Sequence, residues 1–167
     1  MMKINVLIIN YKSRDILDDC LLSINEEKLD IQINILNNDC DELILSKHVY
    51  KKNNINIVNT DKNIGFSEGI NYLVKIIPDT EYFFLLNPDA ILTKNVIYSL
   101  YKKIELNNKA AAISPVIYDS SDELWFNYGY INWKECSIHN KNYNLLNKKD
   151  KYETDIFNGC AALLKTS

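Results

Sequence analysis

The sequence predicts an α/β fold: a mixed, mostly parallel sheet flanked by helices on both faces. Three observations carry that prediction. Four short runs, residues 4–9, 31–36, 55–58 and 82–86, are rich in apolar residues, and 82–86 is unbroken, as strands covered on both faces are. The segments between them repeat apolar residues at three- and four-residue spacing, the pattern of a helix with one buried face. The two kinds alternate, and successive strand–helix units imply parallel strands joined by right-handed crossovers.

Taken in order, residues 4–9 (Ile-Asn-Val-Leu-Ile-Ile) form the first strand. Ser13 is placed to cap a helix whose face is Leu17, Cys20, Leu21 and Ile24. Residues 31–36 give the second strand and 41–50 a short helix, followed by a third strand over 55–58. Ser67 reads as the next N-cap, with Glu68 favourable in the first turn and Ile70, Leu73, Val74 and Ile77 on one face. Tyr82-Phe83-Phe84-Leu85-Leu86 is the fourth strand, and residues 95–107 are a helix with Ile97, Leu100, Tyr101 and Ile104 inward.

After Ala110-Ala111-Ala112-Ile113 the pattern changes. Residues 116–118 and 125–128 are short aromatic runs across Asp119-Ser120-Ser121-Asp122, which predicts a hairpin. Residues 134–155 are polar and read as a long loop, and 157–164 form a last apolar segment. The whole, residues 1–167, is read as one domain.

The 167 residues are 47% hydrophobic and 25% charged, ordinary values for a globular chain able to bury a sizeable core. A net charge of −3 supplies no general attraction to nucleic acid or to an anionic membrane. Cys20, Cys40, Cys136 and Cys160 form no C-x-x-C pair, so neither a zinc ribbon nor a disulfide framework is indicated. Cys20 and Cys160 fall within apolar patterns and read as small buried hydrophobes. His48 and His139 lie in polar surroundings and read as surface residues. No run reaches the ~18 apolar residues of a membrane helix, and Met1-Met2-Lys3 leads directly into a strand. The expectation is a cytoplasmic protein, with the inner face of the membrane as one place for it to work by peripheral association.

Chemistry concentrates where strands end. In open α/β sheets ligands bind beyond the carboxyl ends of the strands. The loops after strands 1, 2 and 4 carry Asn10-Tyr11-Lys12, Asn37-Asn38-Asp39-Cys40-Asp41 and Asn87-Pro88-Asp89. Amides, carboxylates and one aromatic ring suit a nucleoside with a metal-bridged diphosphate; Tyr11 is able to stack on a base. In Asn63-Ile64-Gly65-Phe66-Ser67, Gly65 permits a backbone that other residues resist, ahead of a helix N-terminus able to face phosphate. The same Asn-x-Gly-Phe also reads as an ordinary turn with Phe66 in the core. No G-x-G-x-x-G, P-loop or G-x-S-x-G motif occurs, which sets aside dinucleotide, P-loop and α/β-hydrolase readings. With so little glycine, a diphosphate would be held through Mn²⁺ or Mg²⁺ at Asp89.

With these loops placed, the chain resembles the family 2 glycosyltransferases of GT-A fold, in particular their rhamnosyltransferase-like bacterial branch. The residues that carry the likeness are Val6 through Tyr11, Cys20-Leu21-Leu22-Ser23-Ile24, Asn63-Ile64-Gly65-Phe66 with Asn71, Leu85 through Asp89, and Phe157 through Leu164. The resemblance implies a GT-A-type, Rossmann-like sheet and a UDP- or dTDP-linked sugar as donor. It implies a glycan or lipid-linked acceptor, and transfer with inversion in surface polysaccharide synthesis. Asp89 would bind the cation, with Asn87 in the first place of the family's D-x-D-type motif. Asn10, Tyr11, Asn37 and Asn38 would line the nucleoside pocket, and Asn63, Gly65, Phe66 and Asn71 its far wall. The segment around Gly159 would approach the donor sugar and the acceptor.

Two departures stand out. Where the family has Asp-Asn after strand 2, this chain has Asn37-Asn38. The family's base is an Asp in an acidic pair downstream of the glycine-containing strand, and the sequence stops before any such pair. An incomplete acceptor side is therefore expected, and no base is assigned. Asp119, Asp122 and Glu123 read as turn residues. Two other classes fit less well or differently: a nucleotidyltransferase wants a glycine-rich basic loop after strand 1, which is missing, and a non-catalytic nucleotide- or glycan-binding module of the same fold would not need the base.

Overall fold

The computed structural model describes residues 3–24, 27–78, 80–107, 109–140 and 153–166. Four strand–helix units come first: β1 (Lys3–Asn10) with α1 (Arg14–Ser23), β2 (Asp30–Asn37) with α2 (Lys47–Lys52), β3 (Asn54–Asn59) with α3 (Phe66–Ile76), and β4 (Tyr82–Leu86) with α4 (Val96–Glu105). Then follow β5 (Ala112–Ile113), the hairpin β6 (Ile117–Tyr118) and β7 (Leu124–Phe126), the hairpin β8 (Gly129–Asn132) and β9 (Ser137–Asn140), and finally β10 (Ala161–Lys165). The central sheet runs β3-β2-β1-β4-β10-β5. Pairings among β1 to β4 are parallel, while β10 lies antiparallel between β4 and β5. No helix among the described residues is long and apolar enough to cross a membrane.

The apolar runs are buried because helices cover both faces. On one face Val6, Ile8, Ile33, Ile35, Phe84 and Leu86 pack against Leu17, Cys20 and Leu21 of α1, Val49 of α2, and Ile97, Leu100 and Ile104 of α4. On the other, Leu7, Ile9, Leu36, Phe83 and Leu85 pack against Leu73 of α3. Burial of a leucine of this kind stabilises by ~2 kcal/mol. Gly69 lets α3 lie close, since a Cβ there would meet Ile9 Cδ1 at 3.0 Å and Leu36 Cδ2 at 3.3 Å. That close seat fixes where the N-terminus of α3 opens at the sheet edge.

Four local expectations are corrected. The helix expected over 41–50 is confined to α2, and Ser46 caps it by accepting from Val49 N at 3.4 Å. Ahead of it Leu43 and Leu45 are buried while Ile44 is 68% exposed, an alternation with period two that a helix cannot give. The cap of α3 is Gly65, at φ +81°, and not Ser67, so the helix begins at Phe66. Ser13 stands at the N-cap of α1, but its hydroxyl donates to Tyr11 O at 3.1 Å instead of accepting from the helix. The long loop read over 134–155 contains β9, paired with β8 from Gly129↔Asn140 to Asn132↔Ser137; residues 141–152 lie outside the described residues.

The hairpin over 116–128 is present as β6–β7. Asp119 Oδ1 accepts from Ser121 N at 2.8 Å and Glu123 N at 3.0 Å, which spends that carboxylate on the turn. Trp125 and Trp133 are 53% and 79% exposed.

Candidate functional site

The parallel register brings the C-terminal ends of β1 to β4 to one edge, and β10, running the other way, begins there. Between the loops is a cleft of about 350 Å³. One wall is Ile9, Tyr11, Ser13 and Ile16; the other is Asn38 with Asn63, Gly65 and Phe66; Asn87, Pro88 and Asp89 close it. Gly159, just before β10, reaches the same place: a Cβ on it would stand 4.0 Å from the Phe66 ring.

Asparagines stitch the loops together. Asn37, 1% exposed, donates from Nδ2 to Asp41 O at 2.9 Å and to Asn59 Oδ1 at 3.0 Å. Its Oδ1 accepts from Asn10 Nδ2 at 2.8 Å and Asp39 N at 3.4 Å. Both amide hydrogens and both lone pairs are thus in use. Asn38 clamps the neighbouring loop: its Oδ1 accepts from Thr60 Oγ1 at 3.2 Å and Ile64 N at 3.3 Å, and its Nδ2 donates to Gly65 O at 3.3 Å. Asn63 Oδ1 accepts from Gly65 N at 2.8 Å, closing the turn that lets Gly65 reach its positive φ.

The Asn87-Pro88-Asp89 loop is held through its main chain. Asn87 N donates to Cys160 O at 2.8 Å, and Asn87 O accepts from Ala90 N at 3.2 Å and from Cys20 Sγ at 3.5 Å. Burial first, then the Asp89 charge and Cys160, push the Cys20 thiol up to about 12. Burial and Asp89 also raise Cys160. Both thiols therefore stay protonated and unreactive near neutrality. Asp89 itself is exposed at the cleft. Among the described residues no group of three or more His, Cys, Asp or Glu is placed to hold a metal. One carboxylate still fits a divalent cation whose remaining ligands are water and phosphate oxygens, the usual way Mg²⁺ is bound.

Of the residues singled out in the sequence, Tyr11, Asn38, Asn63, Gly65, Phe66, Asn87 and Asp89 come together in the cleft lining. Asn10 and Asn37 do not line it; they are buried behind it. Asn71 is exposed on the second turn of α3, away from the lining. Residues missed in the sequence are Ser13 and Ile16, brought in by the tight β1–α1 turn, and Thr60, which serves the wall from behind; Asp39, named there only as part of its loop, does the same. Their only signal was position in, or one turn beyond, a strand-end loop.

The pattern of Glycosyl transferase family 2 matches residues 5–167. The chain belongs to that family. Among solved structures it is similar to S. aureus TarS 1–349 in complex with UDP, at 14% identity and a TM-score of 0.59, covering 79% of this chain and 37% of that one. For TarS 1–349 in complex with UDP-GlcNAc the figures are 12%, 0.55, 79% and 36%. For TarS 1–349 alone they are 15%, 0.57, 66% and 34%. This family 2 chain therefore spans about a third of the structures it resembles, and at this identity they show a shared GT-A fold. No curated protein sequence matches it.

Proposed function

We propose that this family 2 chain forms the donor side of a hexosyltransferase. It would move a sugar from a UDP- or dTDP-linked donor to a glycan or lipid-linked acceptor, with inversion, in bacterial surface polysaccharide synthesis. The observation that carries this reading is the cleft itself: a stacking ring, Tyr11, and a free-standing carboxylate, Asp89, face one space large enough for a nucleotide. The printed UDP and UDP-GlcNAc complexes of TarS support the same donor class.

In this reading Tyr11 stacks on the base and Asn38, through its hold on Ile64 and Gly65, keeps the opposite wall in place. Asp89, with Asn87 beside it, would hold Mn²⁺ or Mg²⁺. The cation's contribution is to offset the negative charge that grows on the departing diphosphate. The acceptor hydroxyl attacks the anomeric carbon, the bond to the diphosphate breaks, and the hydroxyl proton passes to a base. Asp89 is the carboxylate of the cleft lining and is committed to the cation, so it is not that base. Work at the inner face of the membrane, in the cytoplasm, follows from a lipid-linked acceptor.

Calorimetric titration with UDP, dTDP and GDP, with and without Mn²⁺, tests the reading. Mn²⁺-dependent binding of UDP or dTDP is expected. A folded chain that binds none of the three would sink it, and nucleotide binding without sugar transfer by the natural enzyme would leave a binding module.

A further inference from the structure

The turn between β1 and α1 has three residues, Tyr11, Lys12 and Ser13, and Lys12 adopts the left-handed conformation with φ +56°. A residue with a Cβ resists that conformation, so a compensating contact is needed. The Asp39 carboxylate supplies it. Lys12 N donates to Asp39 Oδ1 at 3.1 Å and to Oδ2 at 3.0 Å, and Asn10 Nδ2 donates to Oδ2 at 3.1 Å. Bonds to an ionised acceptor are the stronger kind. One carboxylate thus grips the residues on either side of Tyr11. Tyr11 is 45% exposed and lines the cleft, while Asp39 itself does not line it. Lys12 Nζ lies 5.3 Å from the ring centroid, so the same turn sets the ring's electrostatic surroundings.

We propose that Asp39 is the positioning residue for Tyr11: it fixes the ring against which the donor nucleoside stacks, from outside the cleft. The inference rests on the donor-site reading above. It places the control of nucleoside affinity in a residue that never touches the nucleotide. Asp39 is half-buried, and its carboxylate meets only Lys12 N in the turn and the Asn10 side chain at the last residue of β1, so the body of the sheet does not depend on it.

The test is UDP titration in the presence of Mn²⁺ for the wild type, Asp39→Ala, Asp39→Asn and the double variant Asp39→Ala/Lys12→Gly, with thermal melting of each. Asp39→Ala should weaken UDP about tenfold with little change in melting temperature. Asp39→Asn, which keeps one acceptor oxygen without the charge, should weaken it less. Glycine takes the left-handed turn unaided, so Lys12→Gly in the Asp39→Ala background should restore affinity to within about threefold of wild type. Unchanged affinity in Asp39→Ala overturns the proposal. So does failure of Lys12→Gly to restore it, because a carboxylate that met the nucleotide directly would not be replaced by a freer turn. Should Asp39→Ala not fold, the wild-type, Asp39→Asn and Asp39→Asn/Lys12→Gly series decides by the same criterion. If the wild type binds none of UDP, dTDP and GDP, the donor-site reading fails and this one with it. Wild-type binding with an indifferent Asp39→Ala sinks this one alone.

Discussion

Away from the cleft edge of the sheet, near the start of β1 and in the middle of β2, Asn5 and Asn34 are buried, and their amides form a single relay. Asn34 Nδ2 donates to Asn5 Oδ1 at 3.1 Å, Asn5 Nδ2 to Thr80 Oγ1 at 2.7 Å, and Thr80 Oγ1 to Tyr82 O at 3.2 Å. At the C-terminal ends of the same strands, Asn10, Asn37 and Asn38 are buried as well, but they tie separate loops to one another. There Lys12 sits in a left-handed turn, and Asn10 Oδ1 is buried with no hydrogen-bond partner among the described residues. The first group closes on backbone of the same sheet and, among the described residues, includes none at positive φ. The second accumulates the unpaired atom and the strained turn, which is where a folded chain usually keeps its site. Burial of an amide by itself therefore says nothing about function; what the amide holds does.

Asp89→Ala should show the largest contrast between the two regions. Mn²⁺-dependent UDP binding should vanish while the melting temperature holds, because strand-end loops carry little of the core. Calorimetry beside a melting curve checks this, and unchanged affinity would remove Asp89 from the metal site. Asn37→Leu comes next. It removes the four hydrogen bonds of a buried amide, at a cost of ~3 kcal/mol in urea unfolding, and UDP affinity should fall with it. Asn34→Ala breaks only the relay away from the cleft, so a loss of ~1 kcal/mol with no change in UDP affinity is expected. Equal loss of affinity in the two asparagine variants would erase the distinction drawn here.

The smallest effect should come from Tyr82, next to that relay. Its buried hydroxyl donates to Glu105, and that bond, with Lys165 beside it, holds the Glu105 carboxyl below its ordinary range. Burial, then the Glu105 contact, raises the Tyr82 hydroxyl, which stays protonated through the whole neutral range. A carboxyl depressed in the folded state stabilises above the ordinary carboxylate range and loses that contribution as pH falls through its folded value. Tyr82→Phe should therefore flatten the acid side of the stability profile and leave UDP binding alone. Urea midpoints at a series of pH values measure it; parallel curves for variant and wild type would show that the contact contributes nothing.

The sheet was readable because a strand buried on both faces cannot avoid an apolar run: residues 4–9 and 82–86 declare themselves without any neighbour. Leu43, Ile44 and Leu45 misled, since three adjacent apolar residues fit a helix until their alternating burial is known. Gly65 announced a special backbone and delivered a positive φ, whereas the serines at 13 and 67 had cap chemistry but not cap geometry. Among the site residues, Tyr11 and Asp89 were legible because an exposed ring and a carboxylate at a strand end have few other uses.

The asparagines were legible only as polar groups at the right edge. An amide both donates and accepts, so Asn37 and Asn38 look identical in sequence, and nothing local separates one that meets a ligand from one that ties loops. Sequence alone determined the alternating strands and helices, the edge at which the chemistry gathers, and the family to which the chain belongs. Tertiary structure alone decided that Asn37 is spent internally, that β10 enters antiparallel to bring Gly159 to Phe66, and that Asp39 grips both neighbours of Tyr11. Those outcomes depend on contacts between residues far apart in the chain, as in Asn10 with Asn37 and Asn87 with Cys160. Such contacts are fixed by how helices and strands pack, and no window of local sequence contains them.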